Sequence, residues 1–303
     1  MTTSIAFIGL GHMGGPMSIN LTRAGYAVTG FDLMPAARDA AQALGVTVSA
    51  TAAEAVATAD IVITMLPAGR HVIGAYDGPD GLLAAARPGT IFIDSSTIAV
   101  DDARAAHGLA VAAGHRNLDA PVSGGVVGAE AGTLAFMVGG SADDFAVTLP
   151  VFEAMGKRIV HCGGPGLGQA AKICNNMILG ASMIAVSEAF VLGEKLGLEH
   201  QALYDVAANA SGQCWALTTN CPVPGPVPSS PANRDYQPGF AGALMAKDLG
   251  LAAQAFESTG VHSEIGMLAN AIYARFAEGA GAGADFSGII NDIRQRSDTK
   301  DAA

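Results

Sequence analysis

Charge is the scarcest property of this 303-residue chain, and what there is leans acidic. Only 14% of residues are Asp, Glu, Lys or Arg, and the formal net charge is −11. A surface of that sign repels nucleic acid and anionic membranes, so neither is expected as a partner. Half of the residues are hydrophobic, which excludes a disordered chain and allows a sizeable core in one large domain or two ordinary ones. Cysteine is limited to Cys162, Cys174, Cys214 and Cys221, with no C-x-x-C and no Cys/His ligand spacing. No metal site is therefore indicated, and the four read as reduced thiols in a cytoplasmic setting. No signal-like or Arg-rich leader precedes the first apolar segment, and no apolar run is expected to reach membrane-spanning length.

What is present is an alternation. Short apolar runs at 4–8, 26–31, 61–65, 90–93, 116–119, 134–138 and 158–160 are separated by alanine-rich helical stretches. Near-continuous apolar strands between helices imply a mostly parallel sheet covered on both faces. Strand signals stop after Gly168. A long apolar helix is expected from about Gln169 to Leu196, with further helices at about 200–210, 240–258 and 262–278. The fold class is thus an α/β Rossmann-type domain, residues 1–163, followed by an all-helical C-terminal domain, 164–303, entered through the long helix. Six prolines between 222 and 238 exclude a helix there. That segment is either a stiff surface loop or a wall of a substrate cleft or subunit contact.

The first run ends in Gly9-Leu10-Gly11-His12-Met13-Gly14, a G-x-G-x-x-G directly after a strand and before a helix. The three glycines permit a tight turn, close approach of backbone to a pyrophosphate, and close helix–strand packing. Free N–H groups and the helix dipole would hold the anion. The next strand closes on Asp32, at the spacing of a carboxylate that binds the adenosine ribose hydroxyls. A carboxylate there repels a 2′-phosphate, so NAD is expected rather than NADP; Arg38 is the nearby cation that could reverse this.

Other candidates follow later strands. Leu66-Pro67 and Thr97 could line a cofactor cleft, although Pro, Ser and Asp also make ordinary turns. Ser123-Gly124-Gly125 offers a hydroxyl and unobstructed N–H groups at the start of a short helix, a nest suited to a carboxylate. In the run after Gly168, Lys172 sits in apolar surroundings, with Asn175 and Asn176 three and four residues on. Desolvation makes a lysine usable as an acid or base near neutral pH; a solvated surface charge is the alternative. Lys247-Asp248 reads either as a surface ion pair or as residues reaching a cofactor.

These blocks together resemble the β-hydroxyacid dehydrogenase family: Gly9 to Gly14, Asp119-Ala-Pro-Val-Ser-Gly-Gly, Gly166-Leu-Gly with Lys172 and Asn175-Asn176, and Lys247-Asp-Leu. The resemblance runs nearly end to end. It is strengthened by Ser211-Gly-Gln-Cys-Trp215, Pro222-Val-Pro-Gly, Tyr236-Gln-Pro-Gly-Phe240 and Asp285-Phe-Ser287. It implies NAD-linked oxidation of (S)-3-hydroxyisobutyrate to methylmalonate semialdehyde in valine breakdown. By the same resemblance Lys172 is the catalytic residue, and Ser123, Gly124 and Gly125 hold the substrate carboxylate. Asn176 lies beside the reacting hydroxyl, Lys247 contacts the cofactor and Asp248 lies near the substrate. His71 stands where some relatives have an asparagine on the cofactor, which weakens a cofactor role at that position. The rival activities are oxidation of L-serine, tartronate semialdehyde chemistry, imine reduction, and cofactor binding without catalysis. A homodimer or homotetramer is expected from helices apolar on more than one face.

Overall fold

The structure, a computed structural model, describes residues 2–78 and 81–300, the side chains of 299 and 300 excepted. Residues 1, 79, 80 and 301–303 of the two expected domains lie outside the described residues. The chain divides into two compact units, Met1–Lys172 and Ile173–Ala303. The division falls within the long helix rather than ahead of it, because the first turn of that helix is bonded to the sheet.

The first unit holds β1 (Ser4–Ile8), β2 (Ala27–Phe31), β3 (Thr47–Val48), β4 (Ile61–Thr64), β5 (Ile91–Asp94), β6 (Arg116–Asp119), β7 (Val122–Ser123), β8 (Leu134–Gly139) and β9 (Gly156–Gly163). Between them run α1 (Gly14–Arg23), α2 (Pro35–Ala43), α3 (Ala52–Val56), α4 (Gly69–Tyr76), α5 (Leu82–Ala85), α6 (Val100–Ala112), α7 (Gly125–Ala131) and α8 (Ala142–Glu153). The strand order is β3-β2-β1-β4-β5-β6-β8-β7, with β9 on β8. Strands β1 to β6 pair in parallel, whereas β8 runs antiparallel to β6 and β7.

Alternate residues of the central strands enter two cores. Ile5, Phe7, Ile61, Ile63, Ile91 and Ile93 pack on one face, and Ala6, Ile8, Val62 and Phe92 on the other. This double covering is why these strands read as unbroken apolar runs. Strand order reverses between β1 and β4, so the crevice at their carboxyl ends is the ligand position of such sheets.

The second unit holds most of α9 (Leu167–Lys195), then α10 (His200–Ala207), α11 (Trp215–Thr218), α12 (Gly242–Thr259), α13 (Glu264–Ala277) and α14 (Ile289–Lys300). Its core joins Met183, Met245, Leu249, Tyr273, Phe286 and Ile289, next to a cluster around Phe190, Leu217 and Ile290. Cys221 and Val223 of the proline-rich segment belong to that second cluster while Pro224, Gly225, Pro228 and Ser229 are exposed, so the segment is a surface loop anchored in the core. Its prolines leave few N–H groups to satisfy. Ser230 Oγ donates to the Cys221 carbonyl, and Tyr236 Oη donates to the Pro222 carbonyl at 2.8 Å.

One expectation from the sequence is corrected here. Helix α9 is long and apolar enough to cross a membrane by length and composition. Half of that stretch is buried within the protein, as in a core helix.

Candidate active site

In the first unit the candidate residues converge on the carboxyl ends of β1, β2, β4, β5 and β6. Gly9 takes φ +97° and donates its N–H to the Phe31 carbonyl at 2.8 Å. A Cβ on Gly14 would lie 1.9 Å from the Gly9 carbonyl oxygen, so only glycine lets α1 approach the turn this closely. Gly11 faces open space, with His12 exposed and Met13 half-buried. Met13 caps α1 without a side-chain hydrogen bond, and no acidic residue occupies the first turn. A helix start with open approach and no acid in its first turn fits a pyrophosphate.

Asp32 is tied directly to this loop. Its Oδ2 accepts the Leu10 N–H at 2.7 Å and its Oδ1 accepts the Met34 N–H at 2.8 Å. Arg38 donates to the Asp32 carbonyl at 2.6 Å, and its guanidinium lies over the Phe31 ring at 5.7 Å. The cation is thus held beside Asp32 on the backbone side, not paired with the carboxylate.

Leu66 and Thr97 are half-buried and Pro67 is exposed. A polar cluster behind them is what sets their position. The Leu66 N–H donates to Ser96 Oγ at 2.8 Å, and Ser96 Oγ donates to Asp94 Oδ1 at 2.6 Å. Thr64 Oγ1 also donates to Asp94 Oδ1, at 2.8 Å. Asp94 is 2% exposed and its Oδ2 has no partner among the described residues. Burial pushes its carboxyl up to about 6. Asp119, its register partner on β6, is also raised by burial.

Asp119 caps α9. Its Oδ1 accepts the Gly166 N–H at 2.7 Å and its Oδ2 accepts the Gln169 N–H at 2.9 Å, a carboxylate at the positive end of a 29-residue helix. Lys172 follows one turn later and is 6% exposed. Ser123 ends β7, Gly124 takes φ +130° and Gly125 opens α7 at φ +61°. That helix start has no side-chain cap and no acid in its first turn, so the nest fits a carboxylate.

In the second unit Asn176 is buried and Asn175 exposed, so of the two asparagines only Asn176 faces inward. Asn176 Nδ2 donates to Asp248 Oδ2 at 2.5 Å, and its Oδ1 accepts from Asn175 Nδ2 at 2.9 Å. Asp248 is 5% exposed and Lys247 half-buried on α12, which does not fit an ordinary surface ion pair. His71 is exposed on α4. The supporting residues Asp94, Ser96, Asp119 and Gln169 were not marked as functional by sequence. The available signal was an acidic residue closing each of two adjacent apolar strands.

Comparison with known proteins gives the family. Residues 4–164 match the model for the NAD binding domain of 6-phosphogluconate dehydrogenase. Residues 166–293 match the model described as NAD-binding of NADP-dependent 3-hydroxyisobutyrate dehydrogenase. A probable 3-hydroxyisobutyrate dehydrogenase of Mycobacterium tuberculosis is 57% identical, over 98% of this chain and 99% of its own. An NAD-dependent L-serine dehydrogenase of Pseudomonas aeruginosa is 48% identical, over 93% of this chain and 95% of its own. A solved structure of M. tuberculosis 3-hydroxyisobutyrate dehydrogenase with L-serine is 58% identical, with a TM-score of 0.93, covering 97% of this chain and 100% of that one. The chain, an oxidoreductase with an NAD-binding Rossmann-type domain and a helical C-terminal domain, belongs to the 3-hydroxyisobutyrate dehydrogenase family of β-hydroxyacid dehydrogenases.

Proposed function

We propose that this protein oxidises (S)-3-hydroxyisobutyrate to methylmalonate semialdehyde with NAD, as a step of valine breakdown, in the cytoplasm. The observation that carries the reading is Lys172, buried to 6% exposure one turn inside a helix whose start is bonded to the cofactor-side sheet. A buried lysine has a ready use as a proton acceptor.

When bound, the cofactor supplies a hydride acceptor at C4 of its nicotinamide. Lys172 enters the step neutral and takes the hydroxyl proton on Nζ while the alcohol carbon loses its hydride, so one carbonyl forms and one proton is stored. Ser123 and the N–H groups of Gly124 and Gly125 hold the substrate carboxylate and fix which carbon faces the ring. Asn176, its amide fixed by Asp248 and Asn175, orients the reacting hydroxyl. Gly9, Leu10, Gly11, His12, Met13 and Gly14 supply the pyrophosphate loop, and Leu66, Pro67 and Thr97 line the cofactor side. Lys247 keeps the cofactor contact implied by its motif, and Asp248 a position near the substrate. Asp32 supports NAD over NADP, because its carboxylate stands at the ribose end of the loop. Exposed Ile178 and Leu192 on α9 support a homodimer or homotetramer, which size-exclusion chromatography with light scattering tests.

A second reading is oxidation of L-serine, favoured by the 48% identical L-serine dehydrogenase and by the relative solved with L-serine. The two substrates differ by a methyl in one and an ammonium in the other on one small scaffold, so an apolar wall at that carbon favours the first and a polar one the second. NADH formation at 340 nm with (S)-3-hydroxyisobutyrate, L-serine and glycerate, each with NAD and NADP, tests both. Preference for (S)-3-hydroxyisobutyrate with NAD supports the first reading. Preference for L-serine moves the protein to the second, and no turnover despite NAD binding overturns both.

A further inference from the structure

We propose that Gln169 is a positioning residue that keys the cofactor-side loop around Thr97 to the helical turn carrying Lys172. The proposal rests on the reading of Thr97 and Lys172 as site residues.

Past the end of β5 the chain leaves the sheet while still buried: Ser95 and Ser96 are 0% exposed and Ile98 is 1%. Buried backbone groups must find partners other than water. Gln169 supplies two of them. Its Nε2 donates to the Ser96 carbonyl at 2.7 Å, and its Oε1 accepts the Ile98 N–H at 3.2 Å. A primary amide presents a donor and an acceptor side by side, as a neighbouring strand does, and here it brackets a single residue, Thr97. On its other side the same loop is tied through Ser96 Oγ to the Leu66 N–H and to Asp94.

Gln169 is itself fixed. It is 0% exposed, and its N–H is held by Asp119 Oδ2 at 2.9 Å. Lys172 lies three residues on, on the same side of the helix. A position that needed only volume would be filled by leucine at lower desolvation cost. A glutamine whose amide is spent wholly on the two neighbours of one loop residue fixes the position of that residue.

The test uses the full chain and NADH as probe, with affinity read by fluorescence titration from pH 5.5 to 8. Gln169→Glu and Gln169→Leu are compared with wild type after circular dichroism shows them folded. A protonated carboxyl offers C=O and O–H side by side, as the amide does, whereas a carboxylate offers acceptors alone. Gln169→Glu should therefore bind NADH about tenfold more weakly at pH 8, the scale of one buried hydrogen bond lost and one acceptor left unpaired. It should converge on wild type as the pH falls. Gln169→Leu should be weaker at every pH. Asp94 on β5 and Asp119 on β6, both raised by burial, and Lys172 on α9 are present in wild type as well, so the wild-type curve is the control for them.

Wild-type affinity across the range in either variant, or a weakened glutamate variant that does not recover in acid, overturns the proposal. If the leucine variant does not fold, the glutamate curve decides. The titration needs no hydroxyacid, so failure of the proposed substrate assignment is seen separately, as absent turnover by wild type.

Discussion

At the scale of single residues, the reading stands on Lys172. Lys172→Ala should lower kcat about 10²–10⁴-fold, the usual worth of a positioned general base, with NADH affinity little changed. Lys172→Arg should fail as well, because a guanidinium does not give up its proton in this range. Steady-state rates with the preferred hydroxyacid check both, and near-native kcat in either would remove Lys172 from the chemistry. Asp32 permits a second prediction. Its carboxylate accepts the Leu10 N–H, and Arg38 is already held beside it by the Asp32 carbonyl and the Phe31 ring. Asp32→Ala should weaken NAD and raise relative use of NADP, because the repelling charge goes while the cation stays. The kcat/KM ratio of the two cofactors reads this directly, and an unchanged ratio would mean that Asp32 does not set the preference.

At the scale of elements, the glycine turn and the start of α9 carry the geometry. Gly14→Ala would drive a methyl to 1.9 Å from the Gly9 carbonyl oxygen, so α1 must shift away from β1. NAD affinity should fall steeply in that variant, while Gly11→Ala, which meets nothing within 4 Å of its Cβ, should keep its fold. Isothermal titration and thermal melts of the two variants separate these outcomes. The same scale shows why parts of the fold were legible. The runs that became β1, β4 and β5 are buried on both faces, and burial on both faces writes itself as unbroken Ile, Val and Phe. The two-residue strands β3 and β7 carry no period and were not foreseen, nor was the antiparallel turn of β8. Helix α14 was missed because past Ile289 and Ile290 its sequence is polar but for Ile293, and among its described side chains only those two are fully buried. Of the site, the glycine loop, Asp32, the Ser123 nest and Lys172 carry local patterns that a sequence displays. Gln169 and Asp119 do not, because their partners lie 47 to 73 residues away, and Ser96 ties to Leu66 30 residues back. Asn175 and Asn176 each lie near the face of Lys172 by spacing, and only packing decides that Asn176 is the buried one.

At the scale of the whole molecule, the buried carboxylates set how stability follows pH. Asp94 sits at about 6 in the fold against an ordinary 3.8, because burial disfavours its charge. A carboxyl raised by folding binds its proton more tightly in the native state than in the unfolded one. Its contribution to stability is therefore fully present below about 3.8 and is lost as pH rises through about 6. The difference corresponds to about 3 kcal/mol at most. Asp119 is raised by the same cause and pulls in the same direction. Glu194 is lowered, first by its hydrogen bond from Arg294, and Asp60 is lowered, first by the Ser4 N–H. What these two contribute is present above their ordinary values and lost only as pH falls through the lowered ones. Between pH 5 and 7 Asp94 and Asp119 thus both lower stability as the pH rises. Urea unfolding should show the protein losing stability across that interval. Asp94→Asn keeps an oxygen to accept from Thr64 and Ser96 but has no proton to lose. The variant should be less stable at pH 5, where its extra N–H₂ is buried without an acceptor, and should show a flatter slope up to pH 7. An equal slope in wild type and variant would mean that Asp94 is already charged in the fold at pH 5, and that the cluster behind Leu66 and Thr97 tolerates a buried anion.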